Sequence, residues 1–287
     1  MSDSYIELFL NSAFAKGDYL ALLTLFFLFL GRMLPIIMQS SFFGAKVLPG
    51  PVKIAFAMSL FIIFLPHLLL TTTSAVDFNL ELIFLVFKEI FIGFTIGFMI
   101  NIPFVIVQTS GMLIDHQRGG ASLMVNDPTI QNQSSPLGTL FNMVMIVLFY
   151  SINGPFLFLD AILMSYDIVP IDQIINPGFF EQNQTFWQIQ IHLFNKVLLM
   201  ATQLATPALL AILMTDVFLG IANRLAPQVQ ITFLGMPLKS LLALVVITFG
   251  WQLMTAEMSK QGLYWLNNTV EMIKVYQIPE SSKVLRP

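Results

Sequence analysis

The chain has 287 residues, of which 56% are hydrophobic and only 10% are charged, and its formal net charge is −3. An ordinary soluble domain carries about 25% charged residues. This composition therefore predicts an integral membrane protein and excludes the basic field that nucleic-acid binding requires. Cysteine is absent, which excludes disulfides, thiol catalysis and cysteine-ligated metals.

Six apolar runs, most of them long enough to cross a bilayer as a helix, occupy most of the chain. We predict an all-α integral membrane protein with about six apolar helical runs, some of them broken or re-entrant. The prediction is a single membrane domain, 1–287, with a polar N-terminal segment at 1–18 and a polar C-terminal tail at 255–287. The runs cover residues 19–38, 52–70, 82–107, 137–163, 191–221 and 231–254.

Positive charges in the connections indicate a topology, because lysine and arginine favour the cytoplasmic side. Arg32, Lys46 and Lys53 flank the first connection, Arg118 lies in the third and Arg224 in the fifth. This alternation predicts an outside N-terminus, and six spans would place the C-terminus outside as well. One of the six runs is nevertheless expected to be re-entrant or not to span, because the tail carries basic residues that favour the inside: Lys260, Lys274, Lys283 and Arg286.

Three of the runs are interrupted by residues that break or kink helices. Pro103 lies in the third run, Asn153-Gly154-Pro155 in the fourth and Pro207 in the fifth. Irregular backbone at membrane depth is tolerated only where it is buried in protein or lines a cavity. A simple kink is the alternative for each proline, but the three interruptions together favour discontinuous helices around a polar interior.

Charged residues inside the runs indicate partners other than lipid. Lys88 and Glu89 lie inside the third run, where an unpaired charge is costly. Adjacent helical residues point about 100° apart, so we expect each of the two to pair with another helix or another subunit. Snorkelling to the interface is the alternative for Lys196 and Lys239. The later runs carry two further charged residues, Asp160 and Asp216.

Small residues in the third run favour close helix packing. Gly93 and Gly97 form a GxxxG pattern, and Asn101 extends the same face by one turn. Small residues at this spacing let two helix backbones approach closely. The pattern predicts helix packing and does not require a homodimer.

The central polar segment, residues 110–128, combines glycines with methionines that a plain solvent loop does not need. Adjacent glycines allow backbone angles closed to other residues, and methionine fills irregular gaps. The combination favours a plug that seals a pore, whereas a long cytoplasmic connection is the alternative. The candidate plug residues are Gly111, Met112, Asp115, Gln117, Arg118, Gly119, Gly120, Met124, Asp127 and Pro128.

A helical hairpin is predicted at residues 191–254. Asp216, Gly220 and Asn223 fall at i, i+4 and i+7 on one helix face. The Ala226-Pro227 step ends that helix, and a second apolar run begins at once. Arg224 then lies near the tip of the hairpin.

These residues resemble the SctT/SpaR/FliR family of inner-membrane components of type III secretion and flagellar export machines. The resemblance runs from about residue 32 to 253, and Asp216 with Pro237-Leu238-Lys239 is more similar to the injectisome branch. Gln230 departs from the asparagine expected in Pro-Gln-x-Asn. The resemblance rests on the order of four blocks: Gly31-Arg32-Met33-Leu34-Pro35 with Pro51-Val52-Lys53; Glu89 with Gly93 and Gly97; 111–119 with Asp127-Pro128; and 216–239.

The resemblance implies a non-enzymatic subunit of the type III secretion export gate, a multi-pass protein of the bacterial inner membrane whose assembled gate projects toward the periplasm. The chain would be an SctR-like half followed by an SctS-like hairpin, with the plug loop of the family at 110–128. Its partners would be SctR-like, SctS-like, SctU-like and SctV-like proteins and secreted effector or needle proteins in transit. Subunit packing is expected at Lys88, Glu89, Gly93, Gly97, Asp216, Gly220, Arg224, Pro227 and Lys239.

Three alternatives stay open on the residues alone. The first is a flagellar export gate subunit. A secondary transporter with broken helices is the second, and it would require an internal repeat that we do not find. An intramembrane hydrolase is the third, with Asp160 and Asp216 as its only candidate acids. No metal or other cofactor is expected, because the three histidines, His67, His116 and His192, are far apart in the chain.

Overall fold

The computed structural model describes residues 19–43, 48–72, 79–119, 135–173, 184–225 and 231–275. Within these ranges the structure is helical and contains no strand, which confirms the predicted all-α fold. A short 3-10 turn at Ser41–Phe43 follows the first helix. The α-helices are α1 (Tyr19–Gln39), α2 (Gly50–Thr71), α3 (Leu80–Gln117), α4 (Pro136–Ser151), α5 (Gly154–Ile168), α6 (Gln184–Leu225) and α7 (Ile231–Val275).

Five of the described helices, α1, α2, α3, α6 and α7, are long and apolar enough to cross a membrane. Helices α4 and α5 pass the same test only together, and the chain bends by 75° at the break between them. They correspond to the fourth predicted run. Among the described helices the irregular run is thus 137–163, as a broken span or a re-entrant loop.

The break between α4 and α5 has a local cause. Asn153 has a φ of 58°, in the left-handed region that asparagine tolerates better than most residues. Gly154 follows, and Pro155 then occupies the first turn of α5, where its missing N–H costs nothing. Three helix-breaking residues in succession therefore end one helix and start the next.

The other two predicted interruptions are wrong. Pro103 lies inside α3 and Pro207 inside α6, and both helices continue through the proline. A single proline removes one backbone hydrogen bond and crowds one carbonyl, which a long helix can absorb as a kink. Neither proline lies next to a residue in the left-handed conformation, whereas Asn153 adopts that conformation where α4 ends.

The chain divides into two compact units, each with an aromatic core. The first comprises Met1–Asn101, Asn153–Thr185 and Tyr264–Pro287. In it α1 packs on α2 and α2 on α5, and the ring of Phe29 stacks 6.0 Å from that of Tyr166. The second comprises Ile102–Ile152 and Phe186–Leu263, and it contains the edge-to-face pair Phe104 and Phe149 at 5.4 Å.

Helices α6 and α7 are far longer than a bilayer requires. At 1.5 Å per residue they extend about 63 and 68 Å, against a hydrocarbon core of about 30 Å. Only 28% of the apolar window in α6 and 22% of that in α7 is buried, compared with 61% in α3. Most of the apolar surface of both helices is therefore left for lipid or for other proteins.

Candidate functional site

A buried group of charges, which we call the Arg32 cluster, is formed by Arg32, Lys88 and Glu89 in the first unit. Arg32 lies in the middle of α1, and both Arg32 and Glu89 of α3 are 0% exposed. The guanidinium group donates from Nε to Glu89 Oε2 at 2.5 Å and from Nη2 to Glu89 Oε1 at 2.9 Å. This two-point geometry is the strongest form of an arginine–carboxylate pair.

The remaining donors of Arg32 hold the end of α5. Nη1 donates to Ser165 O at 2.9 Å and to Ser165 Oγ at 3.1 Å, and Nη2 donates to Val169 O at 2.8 Å. The guanidinium carbon also lies 4.1 Å from the centre of the Tyr166 ring. All five N–H groups of Arg32 thus have an acceptor, which is the condition for burying this side chain without a large cost.

Lys88 completes the cluster from the neighbouring position on α3. Its Nζ donates to three backbone carbonyls, those of Pro170, Ile171 and Gln173, at 2.9, 3.0 and 2.9 Å. The same atom lies 2.8 Å from Glu89 Oε1. The expectation that these adjacent residues do not pair with each other is therefore wrong, because the flexible lysine stem carries its ammonium group around the helix to the carboxylate.

The Arg32 cluster binds backbone carbonyls in the last turn of α5 and in the segment that follows it. Carbonyls near a helix end need partners outside the helix. Ser165 O and the carbonyls of Val169, Pro170, Ile171 and Gln173 receive side-chain donors from α1 and α3. Positive charge is also favourable at a helix C-terminus. The cluster therefore joins three helices of this unit at a single buried point.

The glycines of α3 bring its backbone against α1. A Cβ atom on Gly93 would lie 2.2 Å from Arg32 O, and one on Gly97 would lie 3.0 Å from Ile36 Cα. A side chain at Gly93 would force the helices to shift apart, and one at Gly97 would require its neighbours to give by a few tenths of an ångström. The predicted close packing at this GxxxG pattern is confirmed, and the partner helix belongs to the same chain.

Four residues that were expected at interfaces with other subunits have described partners within this chain. They are Lys88, Glu89, Gly93 and Gly97, and the two charged residues are 7% and 0% exposed. Their role in subunit packing stays a prediction. Arg32 needs a correction, because it is a buried partner of Glu89 and not a loop charge. The sequence pattern showed that partners were needed but could not assign them.

A second polar group, the Asp115 cluster, lies in the second unit and comprises Asp115, Arg118, Ser135 and Ser240. Asp115 is 1% exposed and sits in the last turns of α3. Its Oδ2 accepts hydrogen bonds from Ser135 Oγ and, at 2.9 Å, from the backbone N–H of Leu137. The carboxylate therefore lies at the N-terminus of α4, where negative charge is favourable.

Ser135 is the N-cap of α4. Its Oγ accepts from the N–H of Gly138 at 2.9 Å, and Pro136 follows at the first helical position. Serine and proline are favoured at these two positions. Asp115 and Ser135 together satisfy two of the N–H groups that α4 would otherwise leave without partners.

Arg118 links this cap to α7. Its Nη2 lies 2.6 Å from Asp115 Oδ1, and its Nη1 donates to Ser240 Oγ at 3.2 Å. Gly119, with a φ of 90°, adopts a backbone conformation that favours glycine. A Cβ atom built there would lie 3.5 Å from Met236 Cγ, one helical turn before Ser240. The end of α3 therefore rests on α7.

The structure corrects part of the predicted central loop. Residues 110–117 belong to α3, and within them Gly111 packs on Gly138, where an added Cβ would lie 2.5 Å from the Gly138 nitrogen. Met112 lies beside the same contact, and Gln117 is exposed. Gly111 therefore allows close packing of α3 on α4 and does not mark a loop. The other candidates, Gly120, Met124, Asp127 and Pro128, lie outside the described residues.

The predicted C-terminal hairpin corresponds to α6 and α7, and an ion pair joins its two helices. Lys239 Nζ of α7 pairs with Asp216 Oδ1 of α6, and these side chains are 22% and 41% exposed. Gly220 and Arg224 lie on exposed surface of α6. An added Cβ on Gly220 would meet nothing within 4 Å. Pro227 lies outside the described residues.

The order of these features agrees with one known family. The family model described as bacterial export proteins, family 1, matches residues 23–262. This chain belongs to that family. The match includes both charge clusters and nearly all of the C-terminal hairpin. Among the described residues, the family member has no group of three or more metal-binding side chains.

Curated relatives come from both kinds of export machine. The chain is 33% identical over 197 residues to Yop proteins translocation protein T of Yersinia pestis, covering 68% of this chain and 74% of the relative. It is 32% identical to the surface presentation of antigens protein SpaR of Shigella flexneri, with 65% and 71% covered. It is 27% identical to the flagellar biosynthetic protein FliR of Bacillus subtilis, with 71% and 77% covered. The family member is thus an export-apparatus protein with several apolar, membrane-length helices.

Sequence reasoning missed several residues that build the two clusters in this export protein. Ser135 carried a capping pattern, since it precedes a proline and an apolar run, and could have been found. Ser165, Tyr166 and Ser240 carried no such pattern. Their roles depend on which helices pack together, and local spacing does not encode that.

Proposed function

We propose that this family member is a non-enzymatic subunit of the type III secretion export gate that helps form the protein-conducting pore. The observation that carries the proposal is the family match across residues 23–262, with relatives named for translocation and secretion. The buried charged residues support a structural role for the chain, because in both clusters side chains bind backbone groups at helix ends. Energy for transport would come from a partner ATPase and from the proton motive force.

The exposed surface of the C-terminal hairpin supports assembly with partners. Helices α6 and α7 bury little of their apolar surface and exceed the bilayer in length, so part of each would lie outside lipid. The half-exposed pair of Asp216 and Lys239 lies on these same helices. We place subunit contacts at Asp216, Gly220, Arg224, Pro227 and Lys239. The partners would be SctR-like, SctS-like, SctU-like and SctV-like proteins, in an inner-membrane gate that projects toward the periplasm.

We propose that the segment 110–128 carries the closing element of the pore. The glycine and methionine content of this segment supports the role, since such side chains can seal around chains of varied shape. Residues 110–119 form the end of α3 and the glycine that follows it, and the Asp115 cluster fixes that end. The seal itself would then come from Gly120, Met124, Asp127 and Pro128.

The injectisome branch is favoured over the flagellar branch. The identity is 33% and 32% to the two injectisome relatives described above and 27% to FliR of Bacillus subtilis. A flagellar export gate subunit is the second candidate, because flagellar relatives match over similar lengths. Substrates would be effector and needle proteins in the first case and flagellar proteins in the second.

A complementation experiment tests the function and the branch together. The gene is deleted in its own bacterium and restored as wild type, and both swimming motility and the proteins secreted into the medium are measured. We expect deletion to abolish secretion of effector and needle proteins and to leave motility intact. Loss of motility alone would favour the flagellar branch, whereas normal secretion and motility would contradict the export function.

The sealing role needs a separate test. Residues 120–128 are replaced by a glycine-serine segment of equal length, and ion leakage is measured in cells that express the assembled apparatus. We expect leakage with unchanged assembly. A replacement of residues 276–284 by the same segment is the control. An ion-tight 120–128 variant would refute the sealing role and leave the export function standing.

A further inference from the structure

Arg118 and Arg32 differ in how completely their donors are satisfied. Arg32 uses all five N–H groups in hydrogen bonds and is 0% exposed. Arg118 is only 11% exposed, yet among the described residues its two terminal nitrogens contact just Asp115 and Ser240. Its Nε is buried and has no hydrogen-bond partner among the described residues. A half-satisfied buried arginine is held less firmly than a saturated one.

Arg118 lies between the residue that caps α4 and a residue of α7, so its incomplete hydrogen bonding can affect both helices. One terminal nitrogen holds the carboxylate that caps α4, and the other holds a hydroxyl of α7. Asp115 in turn accepts from Ser135 Oγ and the N–H of Leu137. A continuous polar path therefore runs from Ser240 through Arg118 and Asp115 to the first turn of α4. All its members belong to the second unit.

We propose that Arg118 is a positioning residue through which α7 controls the first turn of α4. When Ser240 is in place, both terminal nitrogens are engaged and the guanidinium group holds Asp115 on the cap. When Ser240 is lost or moves, a further donor loses its acceptor, and Arg118 reorients toward a new one. Asp115 then loses its charge partner, and its hold on Ser135 and Leu137 weakens.

Through this coupling, a change at α7 of the exposed hairpin would affect the start of α4. Helix α7 leaves most of its apolar surface uncovered in the single chain. Any protein that packs there and shifts Ser240 would change the order of the α4 cap. The inference stands on the contacts within the chain and does not depend on the proposed export function.

Hydrogen exchange of the purified full-length protein in detergent tests the coupling. Leu137 and Gly138 donate to Asp115 and Ser135, and Thr139 donates to Ser135 O at 2.9 Å, so their amides report on the cap. We expect Ser240→Ala to accelerate exchange at these amides about fivefold, the effect of losing one hydrogen bond on an opening equilibrium. Among the described residues Ser240 makes no hydrogen bond to α4, so a purely local role would leave these amides unchanged.

Three further variants sharpen the test. Ser259→Ala is the matched control, since its hydroxyl donates only to Thr255 O one turn earlier in α7. Ser240→Thr keeps a hydroxyl and should restore slow exchange. Ser240→Ala should add nothing to Arg118→Ala, because the path is already broken. Equal exchange in Ser240→Ala and Ser259→Ala would overturn the proposal, as would acceleration of the same size in α6, which would indicate general destabilisation.

Discussion

Replacing Glu89 by glutamine is the sharpest perturbation of the Arg32 cluster. The side chains have nearly the same size, so no cavity forms, but the carboxylate that contacts both Arg32 and Lys88 is lost. The new amide group also presents N–H donors toward the donors of Arg32. Two cations are then buried with fewer acceptors than donors, and they are only 0% and 7% exposed.

The expected cost is large compared with the stability of a folded protein. Breaking a buried ion pair by removing one partner typically costs about 3–5 kcal/mol. The geometry supports that range, since Glu89 accepts three charge-assisted contacts at 2.5, 2.9 and 2.8 Å. For a protein of this length a loss of that size lowers the melting temperature by roughly 10 °C.

Thermal stability in detergent measures the effect, as the monodisperse fraction that survives heating on size-exclusion chromatography. Glu257→Gln is the matched control, because Glu257 is exposed on α7 and its one side-chain hydrogen bond among the described residues comes from Gln261 in the same helix. We expect that control to stay within about 0.5 kcal/mol of wild type. Equal melting temperatures for the two variants would show that Glu89 is hydrated in the folded protein and that the cluster does not hold the helices together.

Three further predictions concern helix packing, capping and the hairpin. Gly93→Ala should lower the melting temperature by several degrees, because the new Cβ would collide with Arg32 O. Gly250→Ala is the control and should leave the melting temperature equal or raised, because a Cβ there meets nothing within 4 Å. The reverse order would contradict the packing. Ser135→Ala should cost about 1 kcal/mol in the same assay, and Ser151→Ala, whose hydroxyl bonds only its own helix, should cost less; equal costs would show that the cap is dispensable. Exchanging Asp216 and Lys239 should change stability by less than about 1 kcal/mol, because the pair is partly exposed; a larger loss by the same measurement would show a buried pair.

The fold could be predicted well because its pattern is local. Apolar runs of membrane length are visible without knowing their neighbours, and all six reappear as helices or as the broken pair α4–α5. The break at Asn153 was also predictable from three successive helix-breaking residues. Pro103 and Pro207 were misjudged because whether a helix continues through a proline depends on its surroundings.

The partners of the buried charges could not be predicted from spacing. Glu89 and Lys88 were recognised as needing partners, yet Arg32 is 57 residues from Glu89 and reads as a loop charge in the sequence. The groups that hold Lys88 are backbone carbonyls. Every residue has a backbone carbonyl, so the side-chain pattern of the sequence cannot indicate which of them bind the lysine. Gly93 was recognisable through its spacing from Gly97, but the choice between a partner in the same chain and one in another subunit depends on tertiary packing.

Native mass spectrometry of the detergent-extracted protein, expressed together with the products of its neighbouring genes, tests whether this chain assembles into an export gate. We expect a defined complex that contains this chain and at least two other small membrane proteins. The exposed apolar surfaces of α6 and α7 would be covered in that complex. A monomer or a homodimer under the same conditions would contradict the claim that this chain is an export gate subunit.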